Sequence, residues 1–558
     1  LNKNLSPLKR IRTSYTWMIA LLSLYFTVVL NHPVLSKFNS IVDTVDTHGI
    51  VLKVICGLFL FFALNSIFSI IFSVYIPYLT KTILSVITLV SSIVSFQTLN
   101  YDVLFTDQMW LNIFSTDQGE ALSYLNVSVI SWVVITGIIP VILICLHKHQ
   151  FGGSKHYILS TLKNILVGVL SLVIAGGLAF SHYKDFASIG RNNHYLQKMI
   201  VPTYPIYGLE KYIKETYFTK PIKFRDIGTD SHVVKADEGK KPTLFFLVVG
   251  ETARTYNYSL NGYKGNDTNS YTQSLSNLES YRMVQSCGTY TALSVPCMFS
   301  NMTRKGYDAN IAHHENNLMD MLHIAGIKTL WIDNDGGSKG VAKRISYIAI
   351  NPKDNPKYCN GEMCYDTVLL KGLDKRITNM GTGSKVVAFH LVGSHGPTYY
   401  ERVPKDMETF TPRCNRSDIQ NCTHKELVNQ YDDTIHFTDY VLSKIIDKLK
   451  TYEPKYNVAL LYLSDHGESL GEDGIYLHGT PYMFAPKYQK HVPLITWFGD
   501  GFIKQRGIDM ACLNKMALNE KSGLSQDNLF SSVLGLMHIS TKLYNPSLDM
   551  FKKCSTDA

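Results

Sequence analysis

The 558-residue chain contains no C-x2-C pair, so its cysteines lack the usual spacing of a structural zinc site. It has no run of interleaved basic and aromatic residues. Its formal charge of +9 therefore points to an anionic membrane surface, and nucleic acid is not expected as a partner. No Lys or Arg occurs in residues 98–123, which argues against a cytoplasmic position for that loop. No small-residue cleavage site follows the first apolar run, so that run is expected to stay as an anchor and not to be removed as a leader.

What is present divides the chain. A mean hydropathy of zero averages two unlike parts, with long apolar runs up to residue 180 and an ordinary soluble pattern from 181 onward. Five segments, near 15–31, 50–74, 78–97, 124–146 and 158–180, approach the ~20 apolar residues that a bilayer crossing needs. Lys3, Lys9, Arg10 and Arg12 precede the first, Lys81 lies near the second-to-third turn, and Lys148 and Lys155 lie between the fourth and fifth. Residues 98–123 carry Asp102, Asp107, Asp117 and Glu120 instead. This asymmetry puts the N-terminus in the cytoplasm, and an odd number of crossings carries residue 181 onward outside. In a bacterium that is a multi-pass inner-membrane protein with a periplasmic domain. Of ten cysteines, Cys56 and Cys145 lie in apolar runs. The other eight pair by spacing as Cys287–Cys297, Cys359–Cys364 and Cys414–Cys422, with Cys512–Cys554 as the remainder, which suits an oxidising compartment.

Three regions are expected: a membrane domain over 1–180, a bridge over 181–240 and a soluble domain over 241–558. In the bridge, Tyr195–Ile200 suits an amphipathic turn, the run from Pro202 to Tyr207 breaks it, and Lys211–Tyr217 suits another short helix. From 241, short apolar runs end in polar residues. Leu244–Val249 precedes Gly250-Glu251, and Lys328–Ile332 precedes Asp333-Asn334-Asp335. Val386–Val392 precedes Gly393-Ser394-His395, Val458–Leu463 precedes Ser464-Asp465-His466, and Pro493–Phe498 precedes Gly499-Asp500. Amphipathic helices are expected over Thr423–Lys450 and Gln526–Met537. Apolar strands alternating with helices predict an α/β domain whose largely parallel sheet is covered on both faces. Ligands of such sheets bind beyond the carboxyl ends of the strands, where Glu251, His395, Asp465 and His466 fall.

Asp465 beside His466 is a plausible metal pair, Glu251 offers a third ligand, and a threonine hydroxyl completes a tetrahedral set. Such a set is compatible with Zn²⁺ and does not exclude Mn²⁺. The hydroxyl comes from Cys287-Gly288-Thr289-Tyr290-Thr291, where small residues precede an apolar run, as at a helix N-terminus that favours anions. Either Thr289 or Thr291 fits the part, and spacing does not choose. A divalent ion would lower the pKa of that hydroxyl and neutralise charge on a phosphoryl group. His395 and His478, each in a tight polar loop, suit with Glu468 a second metal, a proton donor or a phosphate clamp. Lys339, in Gly337-Ser338-Lys339-Gly340, suits a phosphate contact or a solvated surface position equally.

The run Ser286–Thr291, followed by Ser294–Ser300, resembles the nucleophile motif of the lipid A phosphoethanolamine transferases. That family includes the mobile colistin-resistance enzymes and belongs to the alkaline phosphatase/sulfatase superfamily. Val248–Thr252 resembles its first metal strand and Ser464–Glu472 its second; Gly393–Pro397, His478-Gly479 and the five spans match as well. The resemblance implies a sulfatase-like fold for the soluble domain. It implies Thr291 as the nucleophile, and Glu251, Thr291, Asp465 and His466 as ligands of one Zn²⁺. His395 and His478 would serve the donor headgroup or a second Zn²⁺, with Glu468 and Lys339 as further substrate contacts.

The implied reaction moves phosphoethanolamine from phosphatidylethanolamine to a lipid A phosphate through a covalent threonine intermediate, giving resistance to polymyxins. A monomer is expected. A related transferase acting on core sugar or periplasmic glucan keeps the same residues and stands as the alternative. A sulfatase would need a C-x-P-x-R type motif, whereas Cys297 is followed by Met298 and Phe299. A non-catalytic sensor would have lost one of Glu251, Thr291, Asp465 or His466, and all four are present.

Overall fold

An apolar run in a bilayer has no water to satisfy its backbone and closes its hydrogen bonds within a helix. The computed structural model describes residues 14–45, 49–116, 122, 124–147, 153–193, 195–218, 223–234, 239–361, 363–417 and 419–555. Lys3, Lys9, Arg10, Arg12, Asp117, Glu120 and Lys148 lie outside these residues. The chain forms two units, Leu1–Ile113 with Leu125–Thr219, and Phe114–Tyr124 with Lys220–Ala558. Residues 181–219 of the expected bridge thus belong to the first unit and 220–240 to the second.

The first unit is helical: α1 (Tyr15–Tyr25), α2 (His32–Val45), α3 (Gly49–Ile71), α4 (Pro77–Tyr101), α5 (Val127–Leu146) and α6 (Ser154–Ser181). Among the described residues, α3 to α6 are each long and apolar enough to cross a membrane. The first expected span is one arm of a bent pair: helix runs on to Leu30 and turns by 58° into α2. Two residues account for the break. Buried Asn31 spends its side-chain amide on the carbonyls of Phe26 (3.0 Å) and Val201 (2.7 Å), and Pro33 follows at once. Within residues 181–240, the turn expected over Tyr195–Ile200 is a 3-10 helix, Leu196–Met199, that ends before Pro202, and α7 (Thr203–Ile213) starts within the proline run. Pro205 falls in the first turn, where a missing N–H costs no helical bond.

The second unit is built on a seven-stranded sheet. Its strands are β1 (Thr243–Gly250), β2 (Leu278–Gln285), β3 (Lys328–Asp333), β4 (Ser346–Ala349), β5 (Lys385–His390), β6 (Asn457–Ser464) and β7 (His491–Phe498). The order is β2-β7-β6-β1-β5-β3-β4. The block β6-β1-β5-β3-β4 is parallel, and β7 runs against both of its neighbours. Every residue of β1 and β6 is buried, as a sheet covered on both faces requires.

Register then aligns the strand ends. Gly250 pairs with Ser464, Val249 with His390, and His390 with Asp333. Glu251, Asp465, His390 and Asp333 therefore reach the same edge. Strand β5 stops at His390, short of the expected Val392. The buried carboxylate of Asp366 takes the amides of Val392 and Gly393, each at 2.9 Å, and pulls them off the ladder. Helix α8 (Thr291–Met298) follows β2, and the long α9 (His424–Lys450) packs against the sheet with a capping box between Thr423 and Glu426. Only the latter part of the expected Gln526–Met537 is α-helix, from Leu529 to Leu536, after a 3-10 turn. All four expected disulfides are formed: Cys287–Cys297, Cys359–Cys364, Cys414–Cys422 and Cys512–Cys554.

Candidate active site

Glu251 leaves the end of β1, and Asp465 and His466 leave the end of β6; all three are fully buried. Thr291 is the first residue of α8, so its hydroxyl sits where the free amides of a first turn and the helix dipole converge. Thr291 Oγ1 lies 3.2 and 3.3 Å from the two Glu251 oxygens and 3.4 Å from His466 Nε2. His466 Nε2 lies 3.4 Å from Glu251 Oε1 and 3.2 Å from Asp465 Oδ2. These spacings are long for hydrogen bonds. They match the ~3.3 Å edge of a tetrahedron whose corners stand ~2.0–2.1 Å from a central ion. Two further details fit a metal. His466 Nδ1 is 3.0 Å from the Gly467 carbonyl and donates to it, which leaves Nε2 as the ligating nitrogen. Asp465 Oδ1 accepts from the amides of Thr252 and His466, while Oδ2 receives no hydrogen bond.

The electrostatics are those of a closely coupled cluster. Burial alone would raise Glu251, but the positive His466 ring outweighs it and holds the carboxyl well below its ordinary range. Asp465 is pushed up to about 7, by burial and then by the Glu251 carboxylate. Burial opposes a charge on His466, yet Asp465 and Glu251 together raise it to about 10.

The backbone around this cluster is strained. Thr252 has φ of 57°, an outlier for a β-branched residue that costs roughly 1–3 kcal/mol. The turn lets its amide reach Asp465 Oδ1 at 3.1 Å and its hydroxyl reach Glu251 Oε1. Tyr431 of α9 holds it there, donating to the Thr252 carbonyl (2.8 Å) and accepting from the Arg254 amide (3.0 Å). Gly393 is needed for the opposite wall: its φ is +49°, and a Cβ there would stand 2.7 Å from the Glu251 carbonyl oxygen.

The two threonines have different surroundings. The Thr289 hydroxyl donates to the Thr480 carbonyl (2.7 Å) and the Thr289 carbonyl accepts from the Gly479 amide (2.8 Å), which ties the His478 loop to the loop before α8. His478 faces the buried Glu468 carboxylate at 3.4 Å, and its ring lies 4.4 Å from that of His466 and 5.4 Å from that of His395. Burial lowers the pKa of His478 against the pull of Glu468. Lys339 lies on the loop after β3, with Nζ 3.5 Å from the Asp335 carbonyl. Gln526 escaped the sequence reading. It donates to the carbonyls of Ser464 (2.7 Å) and Asp465 (2.6 Å) and accepts the Cys287 amide (2.6 Å), bracing the end of β6 against the loop before α8. A buried glutamine at the start of a helical segment carries no local signal of such a role.

A threonine hydroxyl at a helix start, set beside a buried carboxylate–histidine cluster at the strand ends, is an arrangement that suits a sulfatase-type domain. The family model described as Sulfatase matches residues 243–539, and the model described as Phosphoethanolamine transferase EptA/EptB matches residues 60–217. Phosphoethanolamine transferase EptA of Escherichia coli K12 is 38% identical over 480 residues, covering 86% of each chain. Phosphatidylethanolamine transferase Mcr-1 of Escherichia coli is 32% identical over 499 residues, covering 88% of this chain and 90% of that protein. The solved integral membrane lipooligosaccharide phosphoethanolamine transferase A (EptA) from Neisseria meningitidis superposes with a TM-score of 0.91 at 33% identity, covering 97% of this chain and 98% of that one. The chain belongs to the phosphoethanolamine transferase family.

Proposed function

We propose that this transferase moves phosphoethanolamine from phosphatidylethanolamine to a phosphate of lipid A, in the inner membrane of a bacterium and on its periplasmic face. The observation that carries the site is the convergence of Thr291, Glu251, Asp465 and His466 at 3.2–3.4 Å. These four residues would hold one Zn²⁺. When bound, that ion supplies Lewis acidity to the phosphoryl oxygens and makes the threonine hydroxyl more acidic.

Thr291 Oγ attacks phosphorus as its proton departs, and the bond from phosphorus to the diacylglycerol oxygen breaks. The leaving oxygen takes up a proton, and phosphoethanolamine stays on Thr291. A lipid A phosphate oxygen then attacks the same phosphorus, and the threonine oxygen regains a proton as it leaves. The first-turn amides of α8 meet the growing negative charge. We assign His395 and His478, with Glu468 behind His478, to the donor phosphate and leaving oxygen, and Lys339 to a phosphate contact. A relative supports an acceptor of the lipid A-containing class: EptA from Neisseria meningitidis is a lipooligosaccharide phosphoethanolamine transferase. Each added ammonium offsets negative charge on lipid A, so cationic peptides such as polymyxins bind less.

Expression in a Gram-negative host, followed by mass spectrometry of its lipid A, tests the reading. One added phosphoethanolamine is expected, and it should be absent with Thr291→Ala. Unmodified lipid A beside modified core sugar or glucan would overturn the acceptor.

A further inference from the structure

The motif Asp333-Asn334-Asp335 ends a strand of the same sheet and has no part in the reaction above. Beside it stands His390, the last residue of β5, fully buried in an otherwise apolar strand. One donor atom each from Glu251, Asp335 and His390 lies within 4.8 Å of the others. From this grouping we infer that Glu251 is shared between two ions, and that Asp335 and His390 complete a second divalent-cation site, for Zn²⁺ or Mn²⁺.

The orientation of His390 is the independent observation. Its Nδ1 lies 3.1 Å from Asp333 Oδ2, and the rest of that carboxylate is committed. Oδ2 also accepts from Trp331 Nε1 at 2.8 Å, and Oδ1 accepts the amides of Asp335 (3.0 Å) and Gly337 (2.8 Å). Asp333 therefore acts as the acceptor for an Nδ1–H, which leaves Nε2 with a lone pair. That is the carboxylate–histidine relation common behind metal-bound imidazoles. Nε2 is buried and makes no hydrogen bond. Its separation from Asp335 Oδ2 is 3.5 Å, close to the ~3.3 Å between two ligands of one ion. Two carboxylates and one imidazole suit Zn²⁺ or Mn²⁺. A cavity of about 260 Å³, lined by Asp335, Asn334, Val392, His395 and Arg402 among others, adjoins the cluster and gives an entry path. The competing arrangement is an imidazolium held between Asp333 and Asp335 with no ion.

The inference shares only Glu251 with the zinc reading above, and metal counting separates the two. The full-length protein in detergent is stripped with chelator, reloaded with Zn²⁺ alone or Mn²⁺ alone, and counted by plasma mass spectrometry, with its melting transition as a check on folding. Two ions per chain are expected in the wild type. One of these should be lost in His390→Gln and one in Asp335→Asn, a near-isosteric change at a side chain that is 11% exposed and tolerates it if His390→Gln does not fold. Asp465→Asn should lose the other ion. A folded Asp335→Asn protein that keeps the wild-type count overturns the second site, as does a wild type that holds one ion. An Asp465→Asn protein that keeps the wild-type count, while Asp335→Asn loses one, overturns the first site and leaves the second standing.

Discussion

A threonine becomes a nucleophile through its neighbours, and here two threonines of one short loop have been given different ones. Thr291 faces the carboxylate of Glu251, while Thr289 is occupied with the His478 loop. Thr291→Ala should lower transfer by ~10³-fold or more and remove the covalent adduct, whereas Thr291→Ser should keep part of both. Intact-protein mass spectrometry after exposure to donor lipid checks this; an adduct that survives Thr291→Ala would refute the assignment. The cluster also sets how metal and protons compete. With His466 raised to about 10 and Asp465 to about 7, the metal-free site keeps one proton across the neutral range and a second below pH about 7. An ion must displace them. Apparent Zn²⁺ affinity should therefore rise with pH, about tenfold per unit between 7 and 10 and more steeply below 7. Calorimetry in buffers of different ionisation heat should find about one proton released per ion at pH 8 and more than one at pH 6. The sequence held the ligand types and their place at strand ends, but by spacing it could not separate Thr289 from Thr291. That choice rests on which hydroxyl the loop turns toward Glu251 and His466.

At the level of elements, the strands that carry the proposed ligands were the most legible. Runs such as Leu244–Val249 and Val458–Leu463 are continuous and apolar because the sheet is covered on both faces. Strand β2 was not legible. Leu278–Gln285 lies at the sheet edge, is mostly half-buried, and mixes Glu, Ser, Arg and Gln with Leu, Tyr, Met and Val in neither a continuous run nor a strict alternation. His390 was hidden for the opposite reason, since an apolar run read as strand interior drew attention past it to His395. Tertiary hydrogen bonds from Asp366 and Asn31 set the end of β5 and the break after α1, and neither has a local signature.

Helix α9 shows how an element far from the chemistry in sequence fixes it in space. Its Tyr431 hydroxyl serves both the Thr252 carbonyl and the Arg254 amide. Tyr431→Phe leaves these two buried groups unpaired and should destabilise the protein by ~1–3 kcal/mol. It should also weaken metal binding by ~10–100-fold, because Thr252 positions both Glu251 and Asp465. Melting curves and a competition titration with a chelator measure the two effects. An unchanged metal affinity would show that Thr252 keeps its strained turn without help.

For the whole molecule, the question is why one chain joins a bundle of apolar helices to an α/β domain that has its own core. The proposed donor and acceptor are both lipids, so the concentration that matters is the one at the bilayer surface. A covalent tether turns capture of a membrane-bound substrate into an intramolecular problem, with gains of ~10²–10⁴ without any new contact. The residues proposed to react, Thr291, Glu251, Asp465 and His466, all lie in the second unit. Severing the chain at an inserted protease site between residues 218 and 223, after the protein has folded, and separating the α/β fragment from the helical one, which keeps Phe114–Tyr124, should therefore split two activities. Transfer from phosphatidylethanolamine in vesicles should fall by ~10²-fold or more. Turnover of a water-soluble phosphoethanolamine ester, which needs Thr291 and its metal but no membrane, should persist within a few-fold. The comparison uses one preparation before and after cleavage, so folding yield does not enter. An equal loss on both substrates would mean that the helical unit shapes the reacting groups and does more than hold them at the membrane.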